Sequence, residues 1–259
     1  MPDRKPMMLW VAFIAAFISM LLMPLTASAE IEDAEQPEPN PDAAPQLHSY
    51  TASFGASMDK GIAIDGDATR SLESKGPNLW LYRFDVNSFV ADIDESLFFM
   101  WQDGRVVPLE YRYKLSGLLI RNRERQLSFD WTENRVTGKF EKNKVDMPLQ
   151  PGDLDPLGFQ LQLRQDLKAG KTDVTYRVID DDRFDTDRFR VIGSEKEIFH
   201  DQEYETVKVE KVRGANSKRE TLIWFAPELD YMLVQLRQTE PNGSEYMTRL
   251  KTVTGLPQQ

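Results

Sequence analysis

The sequence predicts a mainly β chain: an antiparallel, strongly twisted, open or half-closed β-barrel with one amphipathic α-helix packed on the sheet. Three observations predict it. Apolar and polar residues alternate at period two through most of the chain after Leu47, as in strands with one buried face. One stretch only, Asp153 to Gly170, recurs at helical spacing instead. Three runs, Leu97 to Trp101, Thr221 to Phe225 and Met232 to Leu236, are apolar on both faces for most of their length, as strands covered on two sides are.

In order along the chain, residues 1–29 read as an export signal. Arg4 and Lys5 give a basic start, and Met7 to Leu25 is apolar except for Ser19. Pro24 breaks that run before a small-x-small cleavage site, Ala27-Ser28-Ala29. The run is also long enough to span a bilayer, so an uncleaved anchor is the competing expectation. Residues 30–46, EIEDAEQPEPNPDAAPQ, are acidic and proline-rich, the composition of a solvated extended linker. Residues 47–256 form a single β-rich domain by length. The chain has no cysteine, which rules out a lipid-anchored N-terminus and disulfides, while a domain of this size can bury enough apolar surface without them. A soluble periplasmic protein of a Gram-negative cell is expected. The formal charge is −10, and loss of Asp3, Arg4 and Lys5 makes it one unit more negative, which repels nucleic acid and anionic headgroups.

The strands follow from period two. Tyr50, Ala52, Phe54 and Ala56 mark the first, and Ile62 and Ile64 begin the second before a loop at Gly76-Pro77. Trp80, Tyr82, Phe84 and Val86 line one face of the next. Asp103-Gly104 is a hairpin signal between Leu97–Gln102 and Arg105–Tyr113, because glycine supplies the positive φ of a tight turn. Leu127, Phe129 and Trp131 share a face with Arg121, Arg123 and Arg125, and Val136 and Phe140 follow a turn at Glu133-Asn134. Alternation resumes at Val174, Tyr176 and Val178, then at Phe189 and Val191, then from Tyr204 to Val212. Gly243 turns the chain into a last strand, Glu245 to Val253. About a dozen short strands result, with the three doubly apolar runs expected beneath the helix.

In the helix, Asp155 suits the N-cap, Pro156 the first helical position and Gly170 a left-handed C-cap after Lys168. Leu154, Leu157 and Leu161, widened by Phe159, Leu163 and Leu167, form its apolar face. Arg164 borders that face, so its stem is expected to bury while its guanidinium finds a carboxylate, as a tether or as a ligand contact.

The order Asp155-Pro156-Leu157, Leu163-Arg164, Glu220-Thr221, Trp224-Phe225-Ala226-Pro227 and Gly243 resembles a family of exported bacterial proteins called domain of unknown function 3108, over about Tyr50 to Val253. Met232-Leu233-Val234 departs from it where a proline is expected. The resemblance implies an antiparallel open barrel with a helix across it, similar to the lipoprotein-carrier folds of the envelope, and implies no reaction.

The residue inventory excludes most catalytic chemistry. His48 and His200 are the only histidines, and no Cys-based or H-E-x-x-H ligand set, G-x-S-x-G elbow or glycine-rich phosphate loop is present. No catalytic residue, metal or cofactor is assigned. Two acidic clusters, Asp92/Asp94/Glu95 and Asp180/Asp181/Asp182/Asp185/Asp187, read as solvated turns, with a carboxylate-dependent glycan hydrolase or lyase as the alternative. Arg121, Arg123 and Arg125 read as a sheet edge kept soluble by charge, with phosphate or polyanion binding as the alternative. Trp80, Trp101, Trp131 and Trp224 read as core, or if exposed as a glycan-binding or assembly surface. The reading of choice is a non-enzymatic domain whose hollow binds a lipid-like or envelope-glycan ligand, or an envelope protein. Trp80, Tyr82, Phe84, Leu127, Phe129 and Trp131 would line the hollow, with Arg164 at its border. No nucleic-acid partner is expected, and membrane contact only through residues 1–29 if they are retained.

Overall fold

A computed structural model describes residues 46–59, 63–89, 91–117, 121–199 and 201–257. The signal, nearly all of the linker, Ile62 and His200 lie outside the described residues. Fifteen strands form one sheet: β1 (Tyr50–Asp59), β2 (Ala63–Gly76), β3 (Leu79–Ser88), β4 (Asp92–Gln102), β5 (Arg105–Ser116), β6 (Arg123–Asp130), β7 (Arg135–Phe140), β8 (Asn143–Pro148), β9 (Asp153–Leu154), β10 (Asp173–Asp180), β11 (Arg183–Phe199), β12 (Gln202–Val212), β13 (Glu220–Ala226), β14 (Met232–Thr239) and β15 (Glu245–Thr254). The short β8 and β9 were not expected from period two. The helix α1 (Gly158–Lys168) follows β9.

The strand order is β8 back to β1, then β15 back to β9, so β1 paired with β15 joins the two halves. All pairs are antiparallel except β9 with β10. The sheet's two free edges, β8 and β9, are consecutive in the chain. The sheet therefore curls until its ends lie a few residues apart, leaving a seam rather than a closed barrel. Arg125 of β6 reaches Asp181, at the β10–β11 turn, at 2.5 Å and stitches the two halves together across the interior.

Local signals act as read. Asp103 and Gly104 both have positive φ and join β4 to β5 in a two-residue turn. Asp155 Oδ1 accepts from the N–H groups of Leu157 and Gly158, while the Phe159 N–H returns to the Asp155 carbonyl, so Asp155 caps a helix whose regular part starts at Gly158. Gly170, at φ +77°, ends it: its N–H bonds Leu167 O and that of Lys171 bonds Asp166 O, the paired bonds of a Schellman motif.

The helix differs from expectation in its placement. Ten of its eleven residues are buried, including Gln160, Gln162, Arg164, Gln165 and Asp166, so it lies inside the curl rather than across it. Both halves hold it. Gln160 accepts from Arg70 of β2 at 2.9 Å, and Gln162 accepts from the Val106 N–H at 2.8 Å and donates to Gly104 O. Asp166 accepts from Tyr176 of β10 at 2.6 Å, and Phe159 stacks on Phe189 of β11 at 5.5 Å. A helix enclosed this way needs polar partners on every side, which is why half its residues are polar.

The doubly apolar runs have separate causes. Leu97 of β4 does pack against α1 at Gly158. The second covered face of β13 is its outer one, where Trp224 sits under Lys208 and Arg237 and bonds Glu195, so long charged side chains and not the helix cover it. Among the described residues no helix is long and apolar enough to cross a membrane.

Candidate functional site

The strand register sets inward side chains of β2 to β7 in rows, and three of these rows lead to the mouth away from Asp103-Gly104. The innermost is Leu72, Tyr82, Leu97, Tyr111 and Leu127, with Leu97 against the helix at Gly158. The middle row is Arg70, Phe84, Glu95, Tyr113, Arg125 and Phe140, directly paired strand to strand. The outermost, at the end of the barrel away from Asp103-Gly104, is Ala68, Val86, Ile93, Leu115 and Arg123. A charged row thus lies beneath an apolar one at this mouth.

Each charged member is packed. The Arg70 guanidinium lies 4.2 Å from the Phe84 ring and donates to Tyr82 and Gln160; no carboxylate among the described residues pairs with it. Arg125 lies 4.7 Å from the Phe140 ring and pairs with Asp181. Tyr111 donates its hydroxyl to Glu95. Asp155 enters from the helix side: a Cβ at Gly158 would come within 2.6 Å of Asp155 Oδ2 and 3.3 Å of Leu97, so glycine there lets the capping carboxylate and β4 close on the helix. Glu95 and Asp155 are 1% and 0% exposed. Arg70 Nε, Glu95 Oε2, Arg125 Nε and Asp155 Oδ2 are buried without a hydrogen-bond partner among the described residues, an unusual concentration for one layer.

Burial dominates the electrostatics. It pushes the Glu95 carboxyl up to about 8, opposed by the Tyr111 hydroxyl and Arg70, so Glu95 is mostly protonated at neutral pH. It pushes Asp155 up to about 6 against the Gly158 and Leu157 N–H groups. Across the barrel, burial lowers Lys211 to about 8 although Asp187 pairs with it. These shifts set a pH dependence. Below 4.5 the Glu95 carboxyl is protonated folded or unfolded; as pH rises the unfolded chain releases that proton while the folded chain keeps it to about 8, so stability falls over that interval. Lys211 acts in the opposite sense only above about 8. The melting temperature is therefore expected to decline between roughly pH 6 and 8, and Glu95→Gln to flatten the slope. A wild-type profile that is flat or rising there would refute the assignment.

Of the hollow-lining candidates, Tyr82, Phe84 and Leu127 are buried members of these rows and Phe129 is buried one inward position beyond Leu127, paired with Val136, while Trp80 and Trp131 are half-buried, Trp131 donating its indole N–H to Pro108 O. Arg164 lies away from the charged row: it donates to the Asp230 carbonyl and carboxylate at 2.9 and 2.8 Å, tethering α1 to the β13–β14 turn. Two charge readings need correction. Glu95 is not in a solvated turn, because β4 starts at Asp92 and period two sends Asp92 and Asp94 out and Glu95 in. Arg125 is not on a sheet edge, because β6 lies between β5 and β7. Arg70, Glu95, Tyr111, Arg125 and Asp155 were missed as a group. The available signal was a charge in phase with inward apolar neighbours: Arg70 with Ala68 and Leu72, Glu95 with Ile93 and Leu97, Arg125 with Leu127 and Phe129.

No curated protein matches the chain. Among solved structures it is similar to a β-barrel-like protein of domain of unknown function DUF1849 from Brucella abortus, with TM-score 0.56 and 12% identity, covering 82% of this chain and 99% of that one; at that identity the likeness shows the fold alone. Residues 49–251 match the model of the family described as Protein of unknown function (DUF3108), and the chain belongs to that family.

Proposed function

We propose that this chain is an exported, periplasmic, non-enzymatic binding domain whose ligand is an amphipathic envelope component entering at the mouth opposite the Asp103-Gly104 hairpin. The observation that carries it is the charged row, whose three unpartnered polar atoms are joined by Asp155 Oδ2 from the helix cap, beneath the apolar row of Val86, Ile93 and Leu115. A domain that only scaffolds satisfies its buried polar groups, whereas a binding site leaves donors and acceptors for its ligand. Binding is favoured over glycan hydrolysis because Glu95 and Asp155 are buried, and Asp155 is engaged in capping α1. A hydrolytic carboxyl pair must flank a sugar in an open groove.

A neutral naphthalene-type fluorescent probe is expected to bind the folded protein with micromolar affinity, about −8 kcal/mol, and Leu115→Asp at the mouth to weaken it. No binding at millimolar probe, or equal affinity in wild type and variant, would overturn the reading. Export is checked on the same protein taken from a periplasmic extract, whose intact mass should begin at Glu30.

A further inference from the structure

At the rim of the same mouth lies a groove of about 430 Å³ lined by Lys114, Leu115, Arg121, Arg123, Glu141 and Lys142 among others. Its charge is lopsided. Four cations line it against two carboxylates, Glu124 and Glu141, and Lys139 beside the groove pairs with Glu124 at 3.0 Å. Lys114 and Lys142 make no ion pair among the described residues. This cationic surface stands out on a chain with 42 acidic and 32 basic residues. Of the three arginines only Arg125 has a strand paired on both sides; Arg123 pairs with Leu115 of β5 alone, and Arg121 precedes β6.

The arginines form a graded series. The side chains of Arg121, Arg123 and Arg125 are 76%, 26% and 4% exposed, so the series descends from solvent at the rim to the buried charged row. Glu141 shows what the rim accepts. Its carboxylate takes a 2.5 Å bond from Arg121 and lies 3.9 Å from Arg123. An oxyanion thus already sits between the two guanidinium groups, supplied by the β7–β8 turn.

We propose that this groove is an anion site for a phosphate-bearing headgroup, held by Arg121 and Arg123 with Lys114 and Lys142 adding charge, and that Glu141 is the built-in anion such a group displaces. Paired guanidinium forks suit a tetrahedral oxyanion, and a phosphate brings more charge and more acceptor oxygens than the carboxylate it replaces. The anion site stands on its own geometry; only the assignment of the phosphate to an amphipathic ligand rests on the binding function proposed above.

The test is calorimetric titration of the full chain, at low salt, with inorganic phosphate and separately with a short-chain phosphatidate below its micelle concentration. Both are expected to bind wild type. Glu141→Gln should tighten phosphate about tenfold by removing the competing carboxylate, and Arg121→Gln with Arg123→Gln should weaken it about tenfold or more. The control Arg112→Gln, which removes a surface cation outside the groove, should change it less than about twofold, which separates a site from general charge. Unchanged affinity in both groove variants, or an equal loss in the control, would overturn the site. Phosphatidate binding more tightly than phosphate, with both losing affinity in the double arginine variant, identifies a lipid headgroup as the source. Equal affinity for the two keeps the anion site and overturns the amphipathic ligand.

Discussion

Asp230→Ala is expected to cost about 3–5 kcal/mol of unfolding free energy, because it strands buried positive charge at the end of the enclosed helix. Asp230 sits in the left-handed region at φ 55°, just after the 3-10 turn Pro227–Leu229 that joins β13 to β14. Its carboxylate takes Arg164 at 2.8 Å and also the Lys168 ammonium, and its carbonyl takes the Arg164 Nε–H. The Arg164 guanidinium in turn lies 4.9 Å from the Tyr50 ring, so the tether fixes α1 to the first strand as well as to the β13–β14 turn. Asp230→Asn tolerates the left-handed backbone but lacks the charge, so its loss measures the ionic part without the turn. Adding Arg164→Met to Asp230→Asn should recover much of that loss, since an apolar side chain no longer needs an anion. Unfolding free energies from urea titration lowered by less than about 1 kcal/mol in both single variants would show that the tether is incidental.

The second large effect separates an enclosed helix from one lying on a sheet. Leu161 and Leu163 are two residues apart, which puts them on different sides of α1, yet they are 1% and 0% exposed. Leu161→Ala and Leu163→Ala should each cost about 2–5 kcal/mol, from lost transfer energy plus a cavity. A helix resting on one sheet face would lose stability at only one of the two positions. A near-zero change at either, in the same denaturant titration, would mean that the helix leaves the interior in solution.

The contrast between these residues shows how far local signals reach. The Asp103-Gly104 turn, the Asp155 cap and the Gly170 terminus were readable because each depends on bonds spanning a few residues. The alternation that sends Glu95 and Arg125 inward was readable too, at period two. What their burial means was not. Arg125 looks like an edge charge until β7 is known to pair on its far side, and Glu95 looks like part of a turn until β4 is known to begin at Asp92. The burial of α1 was under-read for a related reason. Its polar face satisfies Gln160, Gln162 and Asp166 through partners on β2, on the β4–β5 hairpin and on β10, and those partners are distant in sequence.

The sequence by itself determined the fold class, the hairpin, the helix and its caps, and the phase of the longer strands, because all of these are short-range properties of backbone conformation and residue type. The tertiary structure alone decided which inward residues meet. Register across six strands sets Arg70, Phe84, Glu95, Tyr113, Arg125 and Phe140 in one row, and a pair such as Thr51 with Thr254 brings the two halves around the helix. Those alignments arise from summed burial and hydrogen bonding between segments far apart in the chain, and a one-residue slip in any strand would send a different face inward.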